Sequence, residues 1–212
     1  MQIQLERIIP TYFEREKING SDIWDKNISF STGQHVQIIA PSGTGKTSLI
    51  HFIYGLRSDY KGIIYYEDKD IRSISLDRLS VYRQKNISIV FQDLRLFNDQ
   101  TVIQNLELKR QLNPYHPAQK IEEMSRRLGI ESRLNKTAKT CSYGEQQRIA
   151  VIRSLMQPFD FLLLDEPFSH LDDANRLKAM DLIAEECELR NAAMIFVDLK
   201  KVDFIKGEIL EL

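Results

Sequence analysis

Apolar and polar positions alternate in pieces through residues 1–34, with Ile3 and Leu5 in one piece and Ile28 and Phe30 in another, around a polar stretch at 14–22. A period of two puts such residues on one face of a strand, which predicts antiparallel strands joined by a hairpin or loop. Val36, Ile38 and Ile39 form a short apolar run, the sign of a buried strand. Residues 62–66, 88–91, 161–164 and 194–197 also read as strands, and 209–212 as an edge strand. Between these runs the period lengthens. Leu49, Phe52, Ile53 and Leu56 recur at helical spacing. From Gln92 to about 156 the pattern is helical throughout. Thr101 caps a helix bearing Val102, Leu106 and Leu108 that stops before Pro114, and Pro117 opens another with Ile121, Met124 and Leu128 on one face. Glu122–Arg126 and Glu123–Arg127 stand four residues apart on its outer side. Ile149, Ile152 and Leu155 mark a third helix. Asp172 or Asp173 caps a last one carrying Leu177, Met180, Ala184 and Cys187.

At 212 residues the chain suits one domain, or a core with a sizeable subdomain. Lys and Arg number 29 against 30 Asp and Glu, so no global basic excess points to nucleic acid. Cys141 and Cys187 stand far apart without metal-like spacing and read as free thiols in a reducing cytosol. The first residues lack the basic-then-apolar layout of a signal peptide, and no apolar run is long enough to span a bilayer. A soluble protein is expected; if it works at a membrane, another subunit must cross it.

The candidate chemistry begins where the strand at 36–39 meets the helix at Leu49. Between them lies Ala40-Pro-Ser-Gly-Thr-Gly-Lys-Thr47, close to the phosphate-binding pattern G-x-x-x-x-G-K-[ST]. The small residues Ser42, Gly43, Thr44 and Gly45 let backbone amides curl round an anion, and the helix N-terminus opposes its charge. Lys46 reaches the β- and γ-phosphates, and the Thr47 hydroxyl can ligate Mg²⁺. Ala40 replaces the first glycine, which is tolerable if its φ stays negative. The strand at 161–164 ends in two acids, Asp165 and Glu166. Carboxylates at the C-terminal end of a buried strand sit where open α/β sheets bind ligands. Asp165 would help hold Mg²⁺, and Glu166 would orient or deprotonate the attacking water. Ser142 and Glu145 fit a capping box; the same hydroxyl and the free amides beside it could equally serve an anion. Tyr12 and Phe13, by composition alone, read as core aromatics.

Taken together, 40–47 (Walker A), Gln92 (Q-loop), 141–148 (signature), 162–166 (Walker B) and 169–172 (D-loop) resemble the nucleotide-binding subunit of an ATP-binding cassette (ABC) transporter, over nearly the whole chain. The segments 91–97 and 101–105 are similar to the branch serving lipoprotein release, macrolide export and cell division. The resemblance implies an α/β fold: a P-loop NTPase (RecA-like) core, an antiparallel β part, and an inserted α-helical subdomain near 93–155. It implies ATP and Mg²⁺ as cofactors, with Ser48 joining Ser42–Thr47 at the nucleotide and Tyr12 stacking on adenine. Gln92 would contact the metal and sense the γ-phosphate. Ser142 and the Gly144 amide would touch the γ-phosphate of a second copy in a head-to-tail homodimer or pseudo-dimer. An integral-membrane permease would be the partner, placing the subunit peripherally on the cytoplasmic face. Three departures stand out. Cys141 replaces the usual Leu of the signature and Tyr143 a Gly, so the Tyr143 side chain could crowd the γ-phosphate unless it turns away. Asp198 falls where the switch histidine belongs, and a carboxylate would repel the γ-phosphate. Hydrolysis is then slow, or Lys200 or Lys201 supplies the missing charge. A second reading follows, a nucleotide-gated interaction module with little turnover.

Overall fold

The computed structural model describes residues 1–14, 17–203 and 207–212. Five parallel strands form one sheet: β3 (His35–Ile39), β6 (Ile87–Val90), β7 (Phe161–Asp165), β8 (Ala193–Asp198) and β9 (Glu208–Glu211), in the order β6-β7-β8-β3-β9. The other four, β1 (Gln2–Pro10), β2 (Asn27–Ser31), β4 (Tyr60–Tyr66) and the two-residue β5 (Lys69–Asp70), make an antiparallel sheet ordered β2-β1-β4-β5.

Unbroken apolar runs become parallel strands here because both faces are covered. In β7, Phe161 and Leu163 face one hydrophobic cluster while Leu162 and Leu164 face another, and β8 divides Ile195 and Val197 from Met194 and Phe196 in the same way. The first cluster joins the antiparallel sheet (Ile3, Leu5, Phe30, Ile64) to helix α1 (Lys46–Ile53). The second packs α3 (Val102–Leu112), α4 (Gln119–Arg127), α5 (Tyr143–Leu155) and α6 (Asp173–Arg190) on the opposite face. Capping follows the side chains. Thr101 and Gln104 form a capping box, and Asp172 accepts from the Asn175 amide.

A bulge in β1 shifts its pairing with β4 between Glu6 and Ile9, and Arg7 there takes φ 48°. Gly62 lies opposite at φ 86°, and a Cβ on it would come within 2.4 Å of the Glu6 and Arg7 carbonyl oxygens. Only glycine fits that crossing.

The structure departs from the pattern in several places. Helix α2 (Leu76–Lys85) and β5 lie in a stretch the periodicity left unassigned; of the α2 residues only Leu79 is buried. Leu56 falls beyond the end of α1 and is exposed, as are Leu108 and Leu177 on their helices. The i,i+4 pairs on α4 do not form, since Arg126 bonds Glu131 and Arg127 reaches Glu185 on α6. Two-pronged contacts to carboxylates beyond the helix outcompete the weaker pairing along it.

Candidate active site

Three parallel strands deliver the site from their C-terminal ends. β3 runs into Ala40, whose φ is not positive, so the absent glycine costs nothing there. The Ala40 amide donates to the Asp198 carbonyl on β8 at 3.0 Å. The loop then turns through Gly43 (φ 85°) and Gly45 (φ 94°). A Cβ on Gly45 would sit 2.8 Å from the Phe13 ring and 3.0 Å from Trp24, so two aromatics brace the loop from beneath. The Trp24 indole donates to the Thr44 carbonyl at 3.1 Å. Gly45 offers no side-chain cap to α1, which leaves the amides of its first turn free of side-chain acceptors. Lys46 curls back over the loop: its Nζ lies 3.0 Å from the Ala40 carbonyl, 3.2 Å from that of Pro41 and 3.4 Å from Glu166 Oε1.

This loop floors a cleft of about 300 Å³ lined by Tyr12, Ser42, Gly43, Gly45, Lys46, Thr47, Ser48, Gln92 and Glu166, with Phe13. Tyr12 is 51% exposed, so it is not the core aromatic its composition suggested. Its hydroxyl lies 2.5 Å from Ser48 Oγ, and the Arg57 guanidinium stands 5.3 Å from its ring centre. The ring is thereby fixed at the mouth of the cleft.

At the other end Thr47 Oγ1 donates to Gln92 Oε1 at 3.1 Å. Asp165 is 1% exposed, and neither of its oxygens has a hydrogen-bond partner. Burial pushes its carboxyl up to about 6, with the Glu166 charge adding to the shift and Thr47 and Lys46 opposing it in part. A buried carboxylate without a donor, beside a hydroxyl and an amide oxygen, is a hard-cation donor set, and Mg²⁺ suits it. Asp165→Asn is therefore expected to stabilise the nucleotide-free protein while removing its Mg²⁺-dependent ATP affinity. The sign follows from the proton balance: a folded pKa near 6, above the ordinary 3.8, means the native state binds the extra proton, so its cost is full above pH 6 and vanishes below about 4. Urea unfolding should show a gain of about 2 kcal/mol for the variant at pH 7 that shrinks to nothing near pH 4.

Glu166 follows in the left-handed region, φ 47°, with its amide on the Val197 carbonyl at 2.9 Å. That conformation aims the carboxylate into the cleft toward Lys46. Asp198 is half-buried at the end of β8, where Leu199 N donates to Oδ1 at 2.6 Å, and burial together with the Glu166 charge raises its pKa. Lys200 is exposed and Lys201 pairs with Asp203 at 3.6 Å.

Ser142 and Gly144 stand apart from this cleft, at the start of α5. Ser142 completes both halves of its capping box with Glu145, yet it stays exposed. The Tyr143 side chain has turned away from the helix tip: its hydroxyl donates to the Gln92 main-chain carbonyl at 3.2 Å, and its ring packs on His170 with centres 4.3 Å apart. Sequence reasoning missed Trp24, Arg57 and Gln147 as supports. Gln147 is buried and bonds both Ser169 Oγ and the His170 amide, fixing the loop after β7. No local pattern marks Trp24 or Gln147, because their partners lie 20 or more positions away, and Arg57 meets the Tyr12 ring 45 positions before it.

A parallel sheet whose strand ends supply a glycine-turned anion loop, a buried cation ligand and a second acid defines a P-loop nucleotide-binding protein. The profile of the ABC transporter family matches residues 24–169, and the chain belongs to that family. It is an ATP-binding, ATP-hydrolysing subunit of the kind that energises a transporter. Among its relatives is the thiamine import ATP-binding protein ThiQ of Haemophilus influenzae, 34% identical over 81% of this chain and 78% of that protein. The lipoprotein-releasing system ATP-binding protein LolD of Idiomarina loihiensis is 27% identical over 88% of this chain and 86% of its own. The dimeric structure of a bacterial ABC transporter cassette superposes with a TM-score of 0.83, covering 99% of this chain and 94% of that one at 24% identity, and so shares the fold.

Proposed function

We propose that two copies of this chain close head to tail on ATP and pass that closure to an integral-membrane permease. The observation that carries this is a separation: Lys46, Thr47, Gln92 and Glu166 converge on one cleft, while Ser142 and Gly144 lie outside its lining, at the first turn of α5. A second copy would bring that tip to the phosphate. In each site the loop amides and Lys46 would hold the triphosphate, Tyr12 would stack on adenine, and Glu166 would orient and deprotonate the attacking water. Thr47, Gln92 and Asp165 would hold Mg²⁺, which when bound neutralises charge on the phosphates. ATP contacted from both sides binds the closed pair better than the open one, so it shifts the equilibrium between them. On this reading the whole chain is a single cassette, with residues near 93–155 as its helical subdomain.

Among the described residues no helix is long and apolar enough to cross a membrane. A peripheral position on the cytoplasmic face, through the permease, follows from the proposal. The segments 91–97 and 101–105, and the extent of the likeness to LolD, support the branch of lipoprotein release, macrolide export and cell division. Sedimentation velocity tests the closure: a Glu166→Gln protein should be a monomer with ADP and a dimer with ATP and Mg²⁺. A monomer in both would overturn it.

Asp198 favours a second reading, in which the closed pair forms but scarcely turns over. A half-buried carboxylate beside Glu166 adds negative charge where the γ-phosphate would lie. Phosphate release from the unaltered protein and from Glu166→Gln separates the two.

A further inference from the structure

The segment after β6 carries a contortion held both locally and from a distant helix. Leu94 (φ 58°) and Arg95 (φ 49°) are consecutive residues in the left-handed region, a conformation that costs a non-glycine residue on the order of 1 kcal/mol or more. Leu94 N donates to the Phe91 carbonyl at 3.0 Å, Arg95 N to that of Asp93 at 2.6 Å, and α5 clamps the turn they make. Arg153, buried near its C-terminal end, donates to the Leu94 and Arg95 carbonyls, each at 2.6 Å. Near the other end of the same helix, the Tyr143 hydroxyl holds the Gln92 carbonyl. Gln92 is thus gripped on two sides, its side chain by Thr47 at the nucleotide loop and its backbone by the residue between Ser142 and Gly144. The Tyr143 ring also rests on His170, whose amide and neighbour Ser169 are bonded by Gln147 of α5, and the Ser169 amide faces the Glu166 carbonyl at 3.4 Å.

We propose that Tyr143 is a positioning residue that ties the nucleotide-sensing Gln92 of one site to the Ser142–Gly144 tip presented to the other. A ligand that recruits the Gln92 side chain moves its peptide, and the Tyr143 hydroxyl carries that movement to the first turn of α5. The phenol that replaces a small residue in this motif is engaged by Gln92 and His170 and works as a strut. This rests on the head-to-tail reading above.

Sedimentation with ATP and Mg²⁺ in the Glu166→Gln background tests both and keeps them apart. Tyr143→Phe keeps the ring on His170 and deletes only the bond to Gln92. Each free protomer already holds this bond, so its loss acts on dimerisation only through the position of the tip; with two tips per dimer displaced at a cost of about threefold each, ATP-driven dimerisation should weaken about tenfold. ATP binding to the monomer, read from the single tryptophan, Trp24 under the phosphate loop, should not move, and the melting temperature should fall by no more than about 4 °C. Ser142→Ala, which removes a side chain placed directly on the partner's nucleotide, should weaken the dimer as well. If Ser142→Ala weakens it and Tyr143→Phe changes it less than twofold or tightens it, the strut is wrong and the head-to-tail reading survives. If neither does, that reading falls and takes the strut with it.

Discussion

Lys46→Ala is expected to weaken ATP binding at least a hundredfold. The ammonium is 7% exposed, and its surroundings show what it balances. Two main-chain carbonyls and Glu166 surround Nζ, with Asp165 and Asp198 contributing further negative charge to the neighbourhood. Removing it leaves three carboxylates facing an incoming triphosphate without a fixed cation. A single charge-assisted hydrogen bond nets about 1.5–3 kcal/mol, and each like-charge contact at partly buried separations adds an energy of the same order. Both losses fall on the bound state, so a factor of about 10²–10³ is the natural size. Lys46→Arg should also lose affinity, because a planar fork replaces the point charge seated between the Ala40 and Pro41 carbonyls. Titration calorimetry, or Trp24 fluorescence, measures the effect. Equal affinity in Lys46→Ala would remove the phosphate loop from the account.

The parts of this site that could be read from sequence are those set by local chemistry. Loop 40–47 needs only glycine freedom and a helix start, and the acids at 165 and 166 stand out because a buried strand stops at them. The parallel strands were legible because both faces are covered, so no polar alternation interrupts the apolar run. Helix α2 was not, because it buries only Leu79 and so carries no stripe to detect. Leu108 and Leu177 misled for the converse reason, since periodicity assigns a face and cannot tell how far the neighbouring element reaches. The direction of Tyr143 depends on a carbonyl 51 residues away, and the clamp of Arg153 on one 58 away. Both are settled only when the helices dock. The Ser142 pattern was ambiguous between a cap and an anion contact; the structure realises the cap and leaves the residue exposed.

Glu166→Gln should lower the rate of phosphate release by about 10²–10⁴, the usual contribution of a positioned base, while ATP binds more tightly. The two effects have one origin. Glu166 lies among like charges, with Asp165 and Asp198 both raised in pKa partly by its presence. Replacing its carboxylate with an isosteric amide relieves that repulsion and removes another negative group from the γ-phosphate's surroundings. The backbone should tolerate the exchange, because φ 47° is held by the bond from Glu166 N to the Val197 carbonyl, which the side chain does not make. A fall in rate with a gain in affinity identifies a group that acts on the water, whereas a merely structural carboxylate would lose both. The same measurement weighs Asp198. If the unaltered protein already releases phosphate as slowly as the variant, then Glu166 performs no base catalysis here. The cassette would then be a nucleotide-gated clamp that opens when ATP dissociates, not when it is cleaved.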